Sequence, residues 1–111
     1  LLRQIYVNLI SNAFKYTSHT TNAVIDIGSR QEHGECIYFV RDNGAGFDQE
    51  KAQDIFGVFI RLHEQNEFPG TGIGLSIVKR IVQRHGGRIW AEAAVGKGAT
   101  FFFTLTSKLE S

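Results

Sequence analysis

The chain of 111 residues has little of several residue types, and each scarcity excludes a class of protein. Its one cysteine, Cys36, excludes disulfide scaffolds and cysteine-based zinc sites, so we expect a reducing, cytoplasmic setting and a core thiol. No apolar run approaches the ~20 residues that cross a bilayer, and no signal peptide opens the chain. A net charge of +1 leaves no basic surface for nucleic acid or a membrane. The partners of this molecule must therefore be inferred from its sites.

What is present is enough for one folded domain spanning 1–111. Hydrophobic residues make up 42% of the chain, which supports a real core. Methionine is absent and the helical pattern has already begun at residue 1, so we expect a fragment of a longer protein. Elements that precede it are expected to be missing.

The spacing of apolar residues predicts two long helices and four strands. Apolar pairs at 1/2, 5/6, 9/10 and 13/14 fall on one face at helical spacing. Runs of β-branched and aromatic residues predict two hairpins, one turning near Gly34 and one at the GKG of 96–98. The predicted elements are a helix over 1–16, strands over 23–29 and 36–42, a short helix over about 49–57, a helix over 73–85 that ends at Gly86-Gly87, and strands over 88–95 and 99–106.

This order of elements predicts the architecture. Helices and strands segregated along the chain are typical of an α+β fold. We expect a two-layer sandwich in which about three helices cover one face of a mixed, mainly antiparallel sheet. The aromatic residues at 90 and 101–103 are expected in its core.

The first helix carries a polar stripe beside its apolar face. At ~100° per residue, Asn8, Asn12 and Lys15 fall within an arc of roughly 60°. Amide oxygens are hard ligands that suit Mg²⁺, and an ammonium group one turn away suits phosphate oxygens. A solvated flank is the plainer interpretation, and the three residues taken alone favour it.

The stretch DNGAG, residues 42–46, follows the predicted strand CIYFV directly. An ordinary glycine turn is one interpretation. A calcium loop is excluded, because Gly44 and Gly46 stand where oxygen ligands are required. The functional interpretation is that a flat ligand passes close to the backbone, with Asp42 marking one edge of it.

A second glycine cluster, PGTGIGLS at 69–76, precedes the second long helix. It lacks the GK[ST] ending of a Walker A loop, and Leu75 stands where the third glycine of a Rossmann motif belongs. Gly72 and Gly74 nevertheless leave free backbone N–H groups at the positive end of a helix dipole. Phosphate is the natural ligand for such a site.

Taken in order, four stretches closely resemble the N, G1, F and G2 boxes of the catalytic ATP-binding domain of sensor histidine kinases. They are NLISNAFKYT, DNGAGFD, IFGVFIRLH and GTGIGLSIVKRI. The resemblance spans nearly the whole chain and implies the Bergerat fold, shared with gyrase-type topoisomerases, heat-shock chaperones and mismatch-repair ATPases. The later boxes look most like those of kinases attached to phytochrome-type or PAS-type sensors.

The resemblance implies a site for Mg²⁺ and ATP that begins on the first helix. Asn12 would bind Mg²⁺, and Asn8, one turn earlier, would line the phosphate site. Lys15 would meet phosphate oxygens, and Tyr16 would pack near the ribose or adenine.

The base of the nucleotide would be recognised by the DNGAG segment. Asp42 would accept a hydrogen bond from the exocyclic amine of adenine, while Gly44 and Gly46 clear room for the purine. Thr100 resembles the residue that supports adenine recognition through water.

The phosphates would be enclosed by a lid. Arg61 resembles the lid arginine that reaches the terminal phosphates, and by this resemblance it joins Asn8 and Lys15 as a catalytic residue. Gly70, Gly72 and Gly74 would form the flexible end of the lid. Leu75 would offer its backbone N–H to phosphate together with its glycine neighbours.

The activity implied is transfer of the γ-phosphoryl group of ATP to a histidine on an adjacent dimerisation domain. A response regulator would act downstream, and the full protein would be a homodimer. Two alternatives are a non-catalytic nucleotide-binding module and an ATP-hydrolysing member of the superfamily. Hydrolysis is disfavoured, because Asn8 stands where hydrolysing members carry a general-base glutamate and an amide cannot take a proton from water.

Overall fold

The computed structural model describes residues 2–52, 54–56 and 73–105. Its elements are α1 (Leu2–Tyr16), β1 (Ile25–Glu32), β2 (Glu35–Asp42), two single-turn 3₁₀ helices (Gln49–Lys51 and Asp54–Phe56), α2 (Ile73–Arg84), β3 (Ile89–Ala94) and β4 (Gly98–Thr104). Within these ranges, neither long helix has the length and apolarity needed to span a membrane. The order of helices and strands agrees with the prediction.

Within the described ranges, the short helix predicted over about 49–57 is the one predicted element with a different form. Two 3₁₀ turns take its place, the first capped by the Asp48 side chain, which accepts a hydrogen bond from the Glu50 amide at 3.0 Å. The second turn buries Ile55 and Phe56 against the core. Two short turns let this segment hold a surface contact at its start and a core contact at its end.

The four strands form one antiparallel sheet in the order β1-β2-β4-β3. His33 and Gly34 form the turn between β1 and β2 with φ of 53° and 77°, as a two-residue hairpin requires. The second hairpin, β3 to β4, turns through 95–97. Both predicted hairpins and the mainly antiparallel sheet are confirmed.

Both long helices cover one face of the sheet. α1 buries Ile5, Leu9 and Ala13 on this face. From α2, Val78 and Val82 enter the same cluster, which also contains these sheet residues: Val40, Ala91, Ala99, Phe101 and Phe103. Each large apolar side chain buried in this way contributes about 1.5–3 kcal/mol. This layer confirms the predicted two-layer sandwich.

Not all of the predicted core residues lie in that layer. Consecutive strand residues point to opposite faces, so Phe102 lies on the far face from Phe101 and Phe103. There Trp90 stacks on Phe102 with ring centroids 5.2 Å apart, and Arg88 lies 4.5 Å above the Trp90 ring. Phe102 is 3% exposed, so the prediction that it is a core residue is confirmed, although it lies on the face away from the helices. Trp90 is only half-buried, so the prediction that it lies in the core is wrong.

Cys36 also differs from its prediction. It is half-buried, whereas its neighbour Ile37 is buried. Cys36 is the second residue of β2 and pairs with Gln31 of β1. It is therefore a partly accessible thiol.

Candidate nucleotide-binding site

The polar stripe of α1 lies on one flank of the buried helix face, as the sequence predicted. Asn8, Asn12 and Lys15 are all half-buried. Asn8 donates from its amide nitrogen to the Gln4 carbonyl of its own helix at 3.0 Å. The amide nitrogen of Asn8 is thus already used in a hydrogen bond within α1.

Asn12 differs from Asn8 in a way that indicates a ligand. Its amide nitrogen is buried and has no hydrogen-bond partner among the described residues. A buried polar group without a partner costs about 1–3 kcal/mol, so such groups are rare in native proteins. Because an amide presents an oxygen as well as a nitrogen, rotation about its last bond offers either a donor or a metal ligand here. The residue present therefore fits the predicted Mg²⁺ site.

Asp42 ends β2 with a carboxylate that is almost fully buried, at 4% exposure. The Gly44 amide donates to its Oδ1 at 2.8 Å, and the Ala99 amide donates to the same carboxylate. Burial raises the pKa of Asp42 and the two hydrogen bonds lower it, with burial the larger effect. An ionised carboxylate accepts about four hydrogen bonds, so this one retains capacity for a ligand donor.

Tyr16 lies at the end of α1 beside Asp42. Burial, and after it the charge of Asp42, raises the pKa of Tyr16 to about 12, so its hydroxyl is protonated at neutral pH. The Ala45 amide donates to the Tyr16 carbonyl at 3.0 Å and joins the two elements. The structure therefore brings together two residues that the sequence assigned to the adenine end of the site.

The glycines of DNGAG are required by backbone packing. A methyl group on Gly44 would collide with the carbonyl oxygen of Tyr16, and one on Gly46 would collide with that of Ala94. Gly98 packs equally closely against the carbonyl of Asp42, with φ of 100°. The DNGAG segment is therefore clamped between α1 and the β3–β4 hairpin. Clearance for a purine, the role given to Gly44 and Gly46 from the sequence, stays a prediction.

Asn43 is a residue that the sequence interpretation missed. Its side-chain oxygen accepts from the Val24 amide at 2.8 Å, and its nitrogen donates to the Asn22 carbonyl at 3.1 Å. The side chain thereby ties the segment after α1 to the end of β2. Asparagine before glycine predicted only a turn, because nothing nearby in the sequence identifies the distant loop that it binds.

The glycine-rich cluster contributes only its last residues to the described part of the chain. Gly74 and Leu75 lie in the first turn of α2, whose N–H groups have no acceptor within the helix. The Leu75 side chain is buried at 7% exposure and anchors that turn to the core. The predicted lid residues Arg61, Gly70 and Gly72 lie outside the described residues.

Thr100 is not brought to the site. The residue of β4 that pairs with Asp42 is Ala99, whereas Thr100 pairs with Arg41 and shares its face with Phe102. The role given to Thr100 beside adenine therefore conflicts with the pleat of the sheet. A shift of one residue reverses the face, which is why this position was misjudged from its motif.

An apolar groove of about 560 Å³ runs along the other flank of α1, away from the Asn stripe. Its lining residues are Arg3, Tyr6, Val7, Ile10, Ser11 and Phe14. None of the predicted site residues within the described ranges lines it. It is therefore separate from the candidate nucleotide site.

The fold and the sequence together define the class of protein. The chain belongs to the family of histidine kinase-, DNA gyrase B- and HSP90-like ATPases, whose pattern matches residues 1–109. The predicted family is thereby confirmed.

Named relatives narrow this similarity to histidine kinases. The chain is 46% identical over 104 residues to cyanobacterial phytochrome A of Nostoc sp., covering 94% of this chain and 14% of the relative. It is 40% identical over 104 residues to the methanogenesis regulatory histidine kinase FilI of Methanothrix harundinacea, covering 94% and 12%. The chain thus spans about a seventh or less of the length of these relatives, and the similarity to phytochrome-type kinases agrees with the prediction.

Solved structures of histidine kinases share the fold. The mycobacterial sensor histidine kinase MprB superposes with a TM-score of 0.77 at 26% identity, covering 92% of this chain and 67% of that one. Full-length ShkA in complex with AMPPNP has a TM-score of 0.77 at 30% identity, covering 94% and 21%. The ShkA complex contains an ATP analogue.

Proposed function

We propose that this chain is the catalytic ATP-binding domain of a two-component sensor histidine kinase. The observation that carries the proposal is the Asp42 carboxylate, which is buried, fixed by two backbone N–H groups and still able to accept. A carboxylate held in this way is suited to read a hydrogen-bond donor on a flat base. The unpartnered Asn12 amide supports a second contact point for the same ligand.

Asp42 gives the site a preference for adenine over guanine. Adenine presents an amine where guanine presents a carbonyl oxygen. Facing guanine, the buried carboxylate would meet an acceptor and lose its partner, a mismatch of roughly a few kcal/mol. Tyr16 lies next to this carboxylate, at the adenine end of the proposed site.

The phosphates and Mg²⁺ would be held by the polar stripe of α1 and the lid. Asn12 would hold Mg²⁺ through its amide oxygen, while Lys15 and Arg61 bind phosphate oxygens. Gly70, Gly72, Gly74 and Leu75 would supply backbone N–H groups to the phosphates. When bound, Mg²⁺ neutralises charge on the phosphates during transfer.

The proposed reaction moves the γ-phosphoryl group from ATP to an imidazole nitrogen of a histidine. The bond between the β-γ bridging oxygen and the γ-phosphorus breaks, a nitrogen–phosphorus bond forms, and ADP leaves. An imidazole needs little activation, so the domain supplies position and charge neutralisation. Asn8 carries no basic group and donates to Gln4, so water is not activated there.

The histidine would lie on a dimerisation domain of the same protein, outside residues 1–111. The full protein would then act as a homodimer and pass the phosphoryl group to a response regulator. A cytoplasmic location follows from this role, because ATP and response regulators are found there. Neither nucleic acid nor a membrane surface is needed for it.

Incubation with γ-labelled ATP and Mg²⁺, with and without the histidine-bearing domain, tests the proposal. Label on the histidine of that domain is the expected result. Release of labelled phosphate instead would identify an ATP-hydrolysing protein. Nucleotide binding without either product would identify a non-catalytic binding module.

A further inference from the structure

The side chain of Gln49 binds the edge of the sheet as a neighbouring strand would. Its Nε2 donates to the Ala91 carbonyl at 3.1 Å, and the Ala93 amide donates to its Oε1 at 2.7 Å. β3 ends the strand order, so these groups of Ala91 and Ala93 point away from β4. One amide side chain thus takes the place of a peptide group of a further strand.

The residues on both sides of Gln49 are fixed by a helix cap and by packing in the core. Asp48 caps the 3₁₀ turn that begins at Gln49. Phe47, just before it, is 2% exposed and packs beside Phe101 with ring centroids 6.2 Å apart. Ile55, six positions after Gln49, is buried at 1% exposure. The contact to β3 therefore joins a segment anchored on both sides to the β3–β4 hairpin.

The same hairpin touches the DNGAG segment at two further points. The Gly96 amide donates to the Ala45 carbonyl at 2.7 Å, and Gly98 lies directly against the Asp42 carbonyl. The segment from Asp42 to Gln49 is thus tied to one hairpin at its start, its middle and its end. Moving Gln49 off β3 would release the end of that arc.

We propose that Gln49 is a positioning residue for nucleotide binding. Its two side-chain hydrogen bonds go to β3 and not to Asp42 or the α1 stripe. It acts by holding the Asp42–Gln49 arc against the hairpin that also supplies the Ala99 amide to Asp42. The proposal rests on the proposed function, because its effect is an effect on ATP affinity.

Two substitutions separate the hydrogen bonds from the bulk of the side chain. Gln49→Met keeps similar volume and removes both bonds. Gln49→Glu still accepts from the Ala93 amide, but an ionised carboxylate repels the Ala91 carbonyl. Once protonated, the glutamic acid donates to that carbonyl and restores the pair. Gln83→Glu, on an exposed position of α2, is the matched control.

Charged neighbours determine the pKa of the introduced glutamate. Asp48, Glu50 and Glu92 flank the position by sequence or register, and their charges would raise the pKa of the introduced acid, whereas Lys51 would lower it. The measurement is the Kd for Mg-ATP of the full-length protein between pH 5 and 8. Dividing each value by that of wild type at the same pH cancels titration of ATP and of Asp42. Thermal melting is recorded for every variant.

We expect Gln49→Met to weaken ATP binding about fivefold at every pH, in line with the loss of two hydrogen bonds. ATP binding by Gln49→Glu should be weakened at least as much at pH 8, and its Kd should approach that of wild type as the pH falls to 5. The Kd of Gln83→Glu should equal that of wild type throughout. A wild-type Kd in both Gln49 variants overturns the proposal, even if their melting temperatures fall, because the contact would then be structural only. Absence of ATP binding by wild type overturns the proposed function and this inference with it.

Discussion

At the scale of single residues, the candidate site depends on how Asp42 is held. Its Oδ1 accepts from the Gly44 amide, which fixes the carboxylate within its own turn. The Ala99 amide fixes it from the neighbouring strand. Burial makes the charge costly unless a further donor binds it, so the carboxylate is best stabilised when a ligand amine is present.

Asp42→Asn tests that role without removing the side chain. Asparagine keeps one oxygen for the Gly44 amide, but its NH₂ group would face the amine of adenine, donor against donor. We expect ATP affinity to fall at least tenfold, while the melting temperature stays within about 5 °C of wild type, because loss of a buried charge offsets a weaker hydrogen bond. Calorimetry and circular dichroism check the two parts.

Asp26→Asn is the matched control for this variant. Asp26 is an exposed aspartate of β1, opposite Arg41 on the far side of the sheet from the helices. Its substitution should leave ATP affinity unchanged. Unchanged affinity in Asp42→Asn as well would reject Asp42 as the adenine acceptor.

The raised pKa of Asp42 predicts a pH dependence. The native state takes up this proton at higher pH than the unfolded chain, whose aspartate has a pKa near 3.8. The burial cost of the charge is therefore present at neutral pH and is relieved as the pH falls through the raised value. ATP binding should weaken over the same range, because the protonated acid is a poorer acceptor. Asp42→Asn should lack this component when both are titrated by calorimetry, and an identical profile in the two proteins would contradict it.

A substitution of Thr100 tests whether this residue acts at the adenine site, as its motif implies, or points away from it, as the strand register indicates. Its side chain lies on the face shared with Phe102, whereas the carboxylate of Asp42 receives the Ala99 amide. Thr100→Ala should therefore leave the Kd for ATP within about twofold of wild type. A tenfold loss would restore the role assigned from the motif and would require a different strand register.

At the scale of elements, the β3–β4 hairpin organises the site. It contacts the DNGAG segment at Ala45 and Asp42, and it receives Gln49 on its outer edge. Two glycines of its turn region, Gly96 and Gly98, have φ of 77° and 100°. They differ in surroundings, since a methyl group added to Gly96 would meet no atom within 4 Å from the described residues beyond its own chain neighbours.

Gly96→Ala and Gly98→Ala form a matched pair. Both introduce a side chain at positive φ, which costs about 1–2 kcal/mol. At Gly98 the new methyl group also meets the Asp42 carbonyl, so we expect a total loss above ~3 kcal/mol and weaker ATP binding. Chemical denaturation gives the free energies of unfolding. Equal losses in the two variants would contradict the close packing of the hairpin on Asp42.

Most elements could be predicted from the sequence because their apolar residues repeat at a regular spacing. Pairs such as Ile5 and Leu9 repeat at helical spacing, and the His33-Gly34 turn has the residues that a tight hairpin needs. The site was predicted less well. Its unpartnered Asn12 amide agrees with the stripe read from α1, but Thr100 was misplaced, since a motif does not fix the strand register. The contacts of Gln49 join segments more than 40 positions apart and leave no local pattern.

At the scale of the whole molecule, the two layers place their functional parts at one end. α1 ends at Tyr16 beside the end of β2, and the β3–β4 hairpin closes on the same point. The N–H groups in the first turn of α2 have no acceptor within that helix. The carboxylate of Asp42, the amide of Asn12 and the ammonium group of Lys15 are the chemical groups that suit the base, the metal and the phosphates of a nucleotide.

The role of Asp42 as the adenine acceptor is tested by the selectivity of the chain between ATP and GTP. The chain is titrated calorimetrically with Mg-ATP and with Mg-GTP under the same conditions. We expect ATP to bind at least tenfold more tightly, because adenine offers its 6-amino group to the buried carboxylate of Asp42, whereas guanine has a carbonyl oxygen at that position. Equal affinities for the two nucleotides, or binding of neither, would contradict it.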